Sequence, residues 1–153
     1  MSVAFRRESD EAHLEPKFEI PIPPGPNLVT ERGARLIEAK MTEIGEAIER
    51  SASEEESKAL KRDLRYWHTR HATMVVQPTA SGAEVAFGTR IRYRLHGKEA
   101  TVAIVGDDEA DPAAGLISFA SPLARALIGA ETGDFVDFAG RTDALEILSV
   151  EPM

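Results

Sequence analysis

The residues able to do chemistry lie on either side of one short polar turn. Between Glu43 and Glu56 stand Glu43, Glu46, Glu49, Glu54, Glu55 and Glu56, with Arg50 as the lone base. Between Lys58 and Arg70 stand Lys58, Lys61, Arg62, Arg65 and Arg70, with Asp63 as the lone acid. Clustered carboxylates suit a hard cation. Mg²⁺ takes oxygen ligands, often one or two protein carboxylates, and completes its shell with water and phosphate. Clustered bases suit phosphate or an acidic wall. The acids also have a plainer use. Ser53-x-x-Glu56 is a capping box, and Glu54 and Glu55 suit the positive end of a helix. Metal assistance by Glu54, Glu55 and Glu56 and simple helix capping both stand at this point.

Other groups are weaker candidates. His68 and His71 are three residues apart, but no third zinc ligand lies near them in sequence. Tyr66 and Trp67 could stack on a base, though Trp67 falls on an apolar stripe and reads as packing. Asp107, Asp108, Glu109 and Asp111 form an acidic loop without EF-hand spacing.

The elements that must carry these residues follow from periodicity. Thr30 is an expected N-cap with Glu31 in the first turn. Ile37, Met41, Ile44 and Ile48 then make one apolar stripe at helical spacing. Ser51-Ala52-Ser53 interrupts it. Leu60, Leu64, Trp67, His71 and Met74 make a second stripe, with Pro78 as the expected stop. Two such helices joined by a short turn should pack as an antiparallel hairpin of about 30 Å, at 1.5 Å per residue. From Gly82 the pattern changes. Glu84–Phe87, Arg90–Leu95, Glu99–Val105, Leu116–Phe119, Asp134–Phe138 and Ala144–Val150 read as strands. Pro122–Ile128 reads as a short helix with Ser121 as N-cap and Gly129 after it. The fold class expected is α+β: an N-terminal helical hairpin and a C-terminal antiparallel sheet with one short helix. The expected boundaries are a proline-rich, extended or disordered arm at 1–27, the hairpin at 28–78, and the β-rich domain at 79–153, entered through the linker Thr79–Ala83.

Composition excludes several classes. The formal net charge of −8 argues against direct affinity for duplex DNA. There is no cysteine, so neither a disulfide framework nor a thiolate metal site is available, and a reducing cytoplasm is the expected setting. No apolar run approaches the roughly 20 residues that cross a bilayer. The arginines near the N-terminus are not followed by an apolar stretch, so a secretory signal is not expected.

The C-terminal motifs carry a resemblance. Val105-Gly106-Asp107-Asp108-Glu109-Ala110-Asp111-Pro112 is followed by Gly115-Leu116-Ile117-Ser118, then Ser121-Pro122-Leu123-Ala124-Arg125-Ala126-Leu127-Ile128-Gly129, then Gly133-Asp134. This ordered set resembles the C-terminal domain of the Gre transcription elongation factors. Asn27-Leu28-Val29-Thr30-Glu31-Arg32-Gly33 resembles the family's opening, L-T-x-x-G. The resemblance implies an FKBP-like domain that docks at the rim of the RNA polymerase secondary channel, with a hairpin that enters the channel. It implies Asp108, Glu109, Asp111, Ser121, Pro122 and Leu123 as polymerase contacts; Arg125 reads equally as a contact or as a solvated charge. It also implies no catalytic residues and no cofactor of the chain's own, since the family's tip acids help hold a Mg²⁺ of the polymerase while backtracked RNA is hydrolysed. At most, then, the chain stimulates the polymerase's own cleavage activity. The partners implied are RNA polymerase and the nascent RNA 3′ end, with any association to DNA indirect. A cytoplasmic monomer without membrane contact is expected.

The tip departs from the family. Cleavage-competent members carry G-D-L-x-E-N-A-E-Y, whereas this chain has Ser51-Ala52-Ser53-Glu54-Glu55-Glu56-Ser57. The hairpin is also shorter than the family's by about one to three turns, on the order of 5–15 Å. Docking and channel entry therefore carry over better than cleavage. A second reading is a cleavage-incompetent polymerase-binding regulator that resembles the regulator of nucleoside diphosphate kinase. A distant third is an FKBP-like peptidyl-prolyl isomerase, which would need an aromatic-lined pocket. Phe87, Tyr93, Phe119, Phe135 and Phe138 read mainly as core.

Overall fold

The computed structural model describes residues 19–153. The expectation for the proline-rich arm lies outside the described residues for positions 1–18. Residues 19–27 hold no helix or strand.

A two-residue strand β1 (Leu28–Val29) leads into helix α1 (Glu31–Arg50), and helix α2 (Glu54–Thr73) returns to strand β2 (Val75–Val76). β1 and β2 pair in parallel, Leu28 with Val75 and Val29 with Val76. This pairing brings the start of α1 and the end of α2 side by side, so the helices run antiparallel. α1 begins where expected: the Gly33 N–H donates to the Thr30 hydroxyl at 2.9 Å. α2 stops at Thr73 rather than at Pro78. Val75 and Val76 are β-branched and are drawn into a ladder with β1, with the Val75 N–H donating to Asn27 O at 2.9 Å and the Gln77 N–H to Val29 O at 2.8 Å. Along the hairpin Ile37 is fully buried and the other stripe residues are half-buried. His71 Nε2 lies 3.5 Å from the Glu38 carboxylate across the two helices. Trp67 meets Tyr66 edge-on at 5.1 Å.

Five strands form a sheet: β3 (Thr89–Leu95), β4 (Lys98–Val105), β5 (Leu116–Ser118), β6 (Phe135–Phe138) and β7 (Arg141–Pro152). Their order is β5-β4-β3-β7-β6. Every pair is antiparallel except β4 with β5. The connection at 106–115 carries the chain back before β5 starts, so this edge is parallel and the sheet is mixed. The segment Glu84–Phe87 is not a strand. Val85 instead exchanges two hydrogen bonds of 2.8 Å with Gly129 and Ala130, which pins it in the core as a single extended residue. Arg92 pairs with Ser149 and Tyr93 with Ile147, leaving Leu148 as a bulge in β7.

Alternation along the strands builds the core. Ile91 and Tyr93, Val102 and Ile104, and Leu145 and Ile147 meet Ala124 and Leu127 of the short helix α3 (Pro122–Leu127). The intervening arginines stay outside: Arg92 reaches Glu99 at 2.9 Å, and Arg94 reaches Glu146 at 2.6 Å. The Arg92 bond holds the Glu99 carboxyl below the ordinary carboxylate value. Burial raises the Tyr93 phenol above its ordinary value of 10.0.

The chain divides into two compact units. Residues 37–73 form one, together with residues 19–25 among those described; residues 26–36 and 74–153 form the other. The first turn of α1 therefore belongs to the β-rich unit. So does the 79–83 segment, where Gly82, at φ +85, is pressed against Pro152: a Cβ there would lie 2.7 Å from the proline ring.

Candidate functional site

Within the β-rich unit, the two stretches of motif that are far apart in sequence meet at Glu109. β4 ends at Val105, and Gly106 opens the acidic loop. A Cβ on Gly106 would fall 2.2 Å from Leu28 O, so only glycine allows β1 to pass this close. Three residues on, the Glu109 side chain turns inward with 1% exposure. One of its oxygens accepts from the Thr30 hydroxyl at 2.5 Å, and the other from Arg32 Nη1 at 2.6 Å. Gly33 sits against the same carboxylate, where a Cβ would come within 2.9 Å of Oε1. Thr30 thus serves twice, accepting from the Gly33 N–H as the cap of α1 and donating to Glu109. The chemistry is that of a clamp: a buried carboxylate holds the first turn of α1 onto the acidic loop.

Glu109, expected among the polymerase contacts, is thus turned inward and bonded within the chain. A side chain that is buried and already bonded to Thr30 and Arg32 offers no surface to a partner. Its place in the acidic loop suggested exposure, and only the joint presence of the L-T-x-x-G opening could have signalled an internal use.

The rest of the loop is tied to α3. The Ser118 hydroxyl donates to Asp107 at 2.6 Å and accepts from the Ala120 N–H at 3.1 Å, and the Ser121 N–H donates to Ser118 O at 2.9 Å. Ser121 then caps α3, accepting from the Ala124 N–H at 3.3 Å, with Pro122 at the first helical turn. These bonds hold the 106–111 loop to the entrance of α3. Asp111, Pro122 and Arg125 are exposed; Asp108, Ser121 and Leu123 are half-buried. Leu123 packs against the core, and Ser121 is committed to its cap. The residues that present chemistry outward are therefore an acid, a proline and a base.

At the tip of the hairpin, Glu54, Glu55 and Glu56 occupy the first turn of α2 and all are exposed. The Glu56 N–H donates to Ser53 Oγ at 3.1 Å, and the Glu56 carboxylate accepts from the Ala52 N–H at 3.4 Å. The Ser53 half of the capping box is formed, while the Glu56 carboxylate reaches back to the Ala52 N–H instead of the Ser53 N–H. No cluster of three or more metal-binding side chains occurs among the described residues. The basic face of α2 carries a group from before the hairpin: the Glu19 carboxylate takes a forked bond from Arg65, 2.6 Å from Nη2 and 3.0 Å from Nε.

Known proteins share parts of this chain. Residues 80–152 match the family described as "Transcription elongation factor, GreA/GreB, C-term". The chain is 45% identical over 75 residues to the transcription elongation factor GreA of Sinorhizobium medicae, covering 46% of this chain and 48% of that one. It is 42% identical over 86 residues to the GreA of Rhizobium etli, covering 54% of each. The chain thus spans about half the length of the curated relatives it matches. A GreA/GreB elongation factor structure from Nitrosomonas europaea aligns with 84% of this chain and 99% of its own, at 18% identity and a TM-score of 0.39. No helix among the described residues is long and apolar enough to cross a membrane.

Proposed function

We propose that this chain, whose residues 80–152 match the GreA/GreB C-terminal family, binds RNA polymerase at the rim of the secondary channel and modulates elongation by occupying it. The supporting observation is the ordered set of motifs around α3, folded so that Asp111, Pro122 and Arg125 face outward while Glu109 and Ser121 brace them from within. An exposed acid, proline and base suit a small polar docking contact. The partner class is RNA polymerase, the setting is the cytoplasm, and the chain acts as a monomer with no active site or cofactor of its own. Isomerase activity is not favoured, because Phe87 packs edge-on against Phe119 at 5.6 Å, and both pack against the core.

At the tip, the reading of occupancy without cleavage rests on Ser51-Ala52-Ser53-Glu54-Glu55-Glu56-Ser57 standing in place of the cleavage-competent motif. The Glu56 carboxylate is engaged in its own helix cap, which leaves Glu54 and Glu55 as the carboxylates free to approach a polymerase-held Mg²⁺. Their contribution is read by a triple change of Glu54, Glu55 and Glu56 to Ala. Docking itself is tested by titrating fluorescently labelled chain with core RNA polymerase. Arg125→Glu should weaken binding by about tenfold or more, the effect of losing a charge contact and adding a repulsion. Unchanged affinity for Arg125→Glu and for Pro122→Ala together would move the docking surface elsewhere.

A further inference from the structure

On the β-rich unit lies a groove of about 580 Å³ that the docking surface around α3 does not use. Three arginines line it: Arg32 and Arg35 from the start of α1, and Arg90 from β3. Glu31 is the single acid among its lining residues. Phe87, Leu116 and Met153 supply apolar lining.

The cations are available. Arg35 and Arg90 are exposed and have no hydrogen-bond or ion-pair partner among the described residues. Arg32 is 56% exposed and spends only Nη1 on Glu109, which leaves the other edge of its guanidinium free. In a chain with a formal net charge of −8, three arginines converging on one concavity mark a site of opposite sign to the molecule as a whole. Arginine forks match carboxylates in a bidentate way, and the apolar lining beside them suits an anchoring side chain. The volume falls within the range of ordinary ligand pockets.

We propose that this groove docks an acidic peptide segment of a protein partner, with carboxylates on Arg35 and Arg90 and one apolar side chain against Phe87, Leu116 and Met153. A nucleic-acid strand is the poorer fit. Its evenly spaced phosphates ask for a track of cations, whereas these cations converge on a single concavity with an apolar lining.

The test uses the full chain and a fluorescein-labelled peptide in which Glu and Asp residues flank a central Leu-Phe, read by fluorescence anisotropy at low salt. The expected result is saturable binding that weakens about tenfold when Arg35 and Arg90 are both changed to Ala, as loss of two charge-assisted contacts implies. A peptide with Ser-Ser at its centre should bind measurably more weakly, and Arg125→Ala should leave the affinity unchanged. Thermal melting verifies that the double variant is folded. As an independent readout, amide NMR shifts on the unsubstituted chain should move at Phe87, Gly88, Ala114 and Met153. The proposal is overturned if the peptide fails to bind, if the double variant binds it equally well, or if the shifts cluster elsewhere. It is overturned equally if oligo(U) or inorganic phosphate displaces the peptide at lower concentration than unlabelled peptide does.

Discussion

Glu109→Gln is the sharpest probe of the clamp, because it removes the charge and keeps the shape. The Glu109 side chain is 1% exposed and accepts from two donors, but the donors are not equivalent. Arg32 is 56% exposed, so once released it hydrates, and its pair contributes about 0.5–1 kcal/mol after screening by solvent. The Thr30 hydroxyl donates to a buried ionised acceptor, a class of bond contributing about 1.5–3 kcal/mol. Glu109→Gln should therefore destabilise the chain by about 2–3 kcal/mol, and Arg32→Ala by about 0.5–1 kcal/mol. Thr30→Val removes the same bond along with the α1 cap. Combined with Glu109→Gln it should be less than additive by about 1–2 kcal/mol, because both changes delete one shared interaction. Urea denaturation gives the free energies. Amide hydrogen exchange at Gly33 and Ala34, the first bonded N–H groups of α1, locates the loss. If Glu109→Gln is neutral, or if Arg32→Ala matches it in size, the reasoning that places the energy in the buried Thr30 bond is wrong.

Three further outcomes follow from particular contacts. Gly106→Ala would set a Cβ 2.2 Å from the Leu28 carbonyl, a backbone atom that cannot swing aside, so it should destabilise by about 1–3 kcal/mol and speed exchange at the Val75 and Gln77 amides. Ser53→Ala removes the N-cap of α2 and should lower stability by about 1 kcal/mol, with circular dichroism showing the loss of helix on heating. Tyr93 should titrate above 10.0 because burial opposes its phenolate. Its contribution to stability is intact below that pH and is lost as pH rises through the folded value, and absorbance titration of the phenolate checks this.

Much of this fold was legible because periodicity reports burial directly. The stripes from Ile37 and from Leu60, the alternation of Ile91, Tyr93 and Leu95 with arginines, and the Ser121-Pro122 start of α3 all appear in the structure. What escaped depends on partners distant in sequence. Val75 and Val76 look like the tail of a helix until Leu28 and Val29 offer them a ladder. Glu84–Phe87 has strand composition but meets Gly129 and Ala130 at Val85 alone. At the candidate site the outward residues Asp111, Pro122 and Arg125 could be named from the motifs. The inward turn of Glu109 could not, since nothing local distinguishes it from Asp108. The arginine groove was invisible for the same reason: Arg35 and Arg90 lie in different elements and converge only in the fold.

The most direct measurement of the central claim is transcript cleavage in stalled, backtracked RNA polymerase complexes, run with and without an established cleavage factor. Channel occupancy without a competent tip predicts that adding this chain slows factor-stimulated cleavage in a concentration-dependent way. It also predicts that changing Glu54, Glu55 and Glu56 together to Ala leaves that inhibition intact. Stimulated cleavage that disappears in the triple variant, or no effect on cleavage at concentrations that saturate binding, would contradict it.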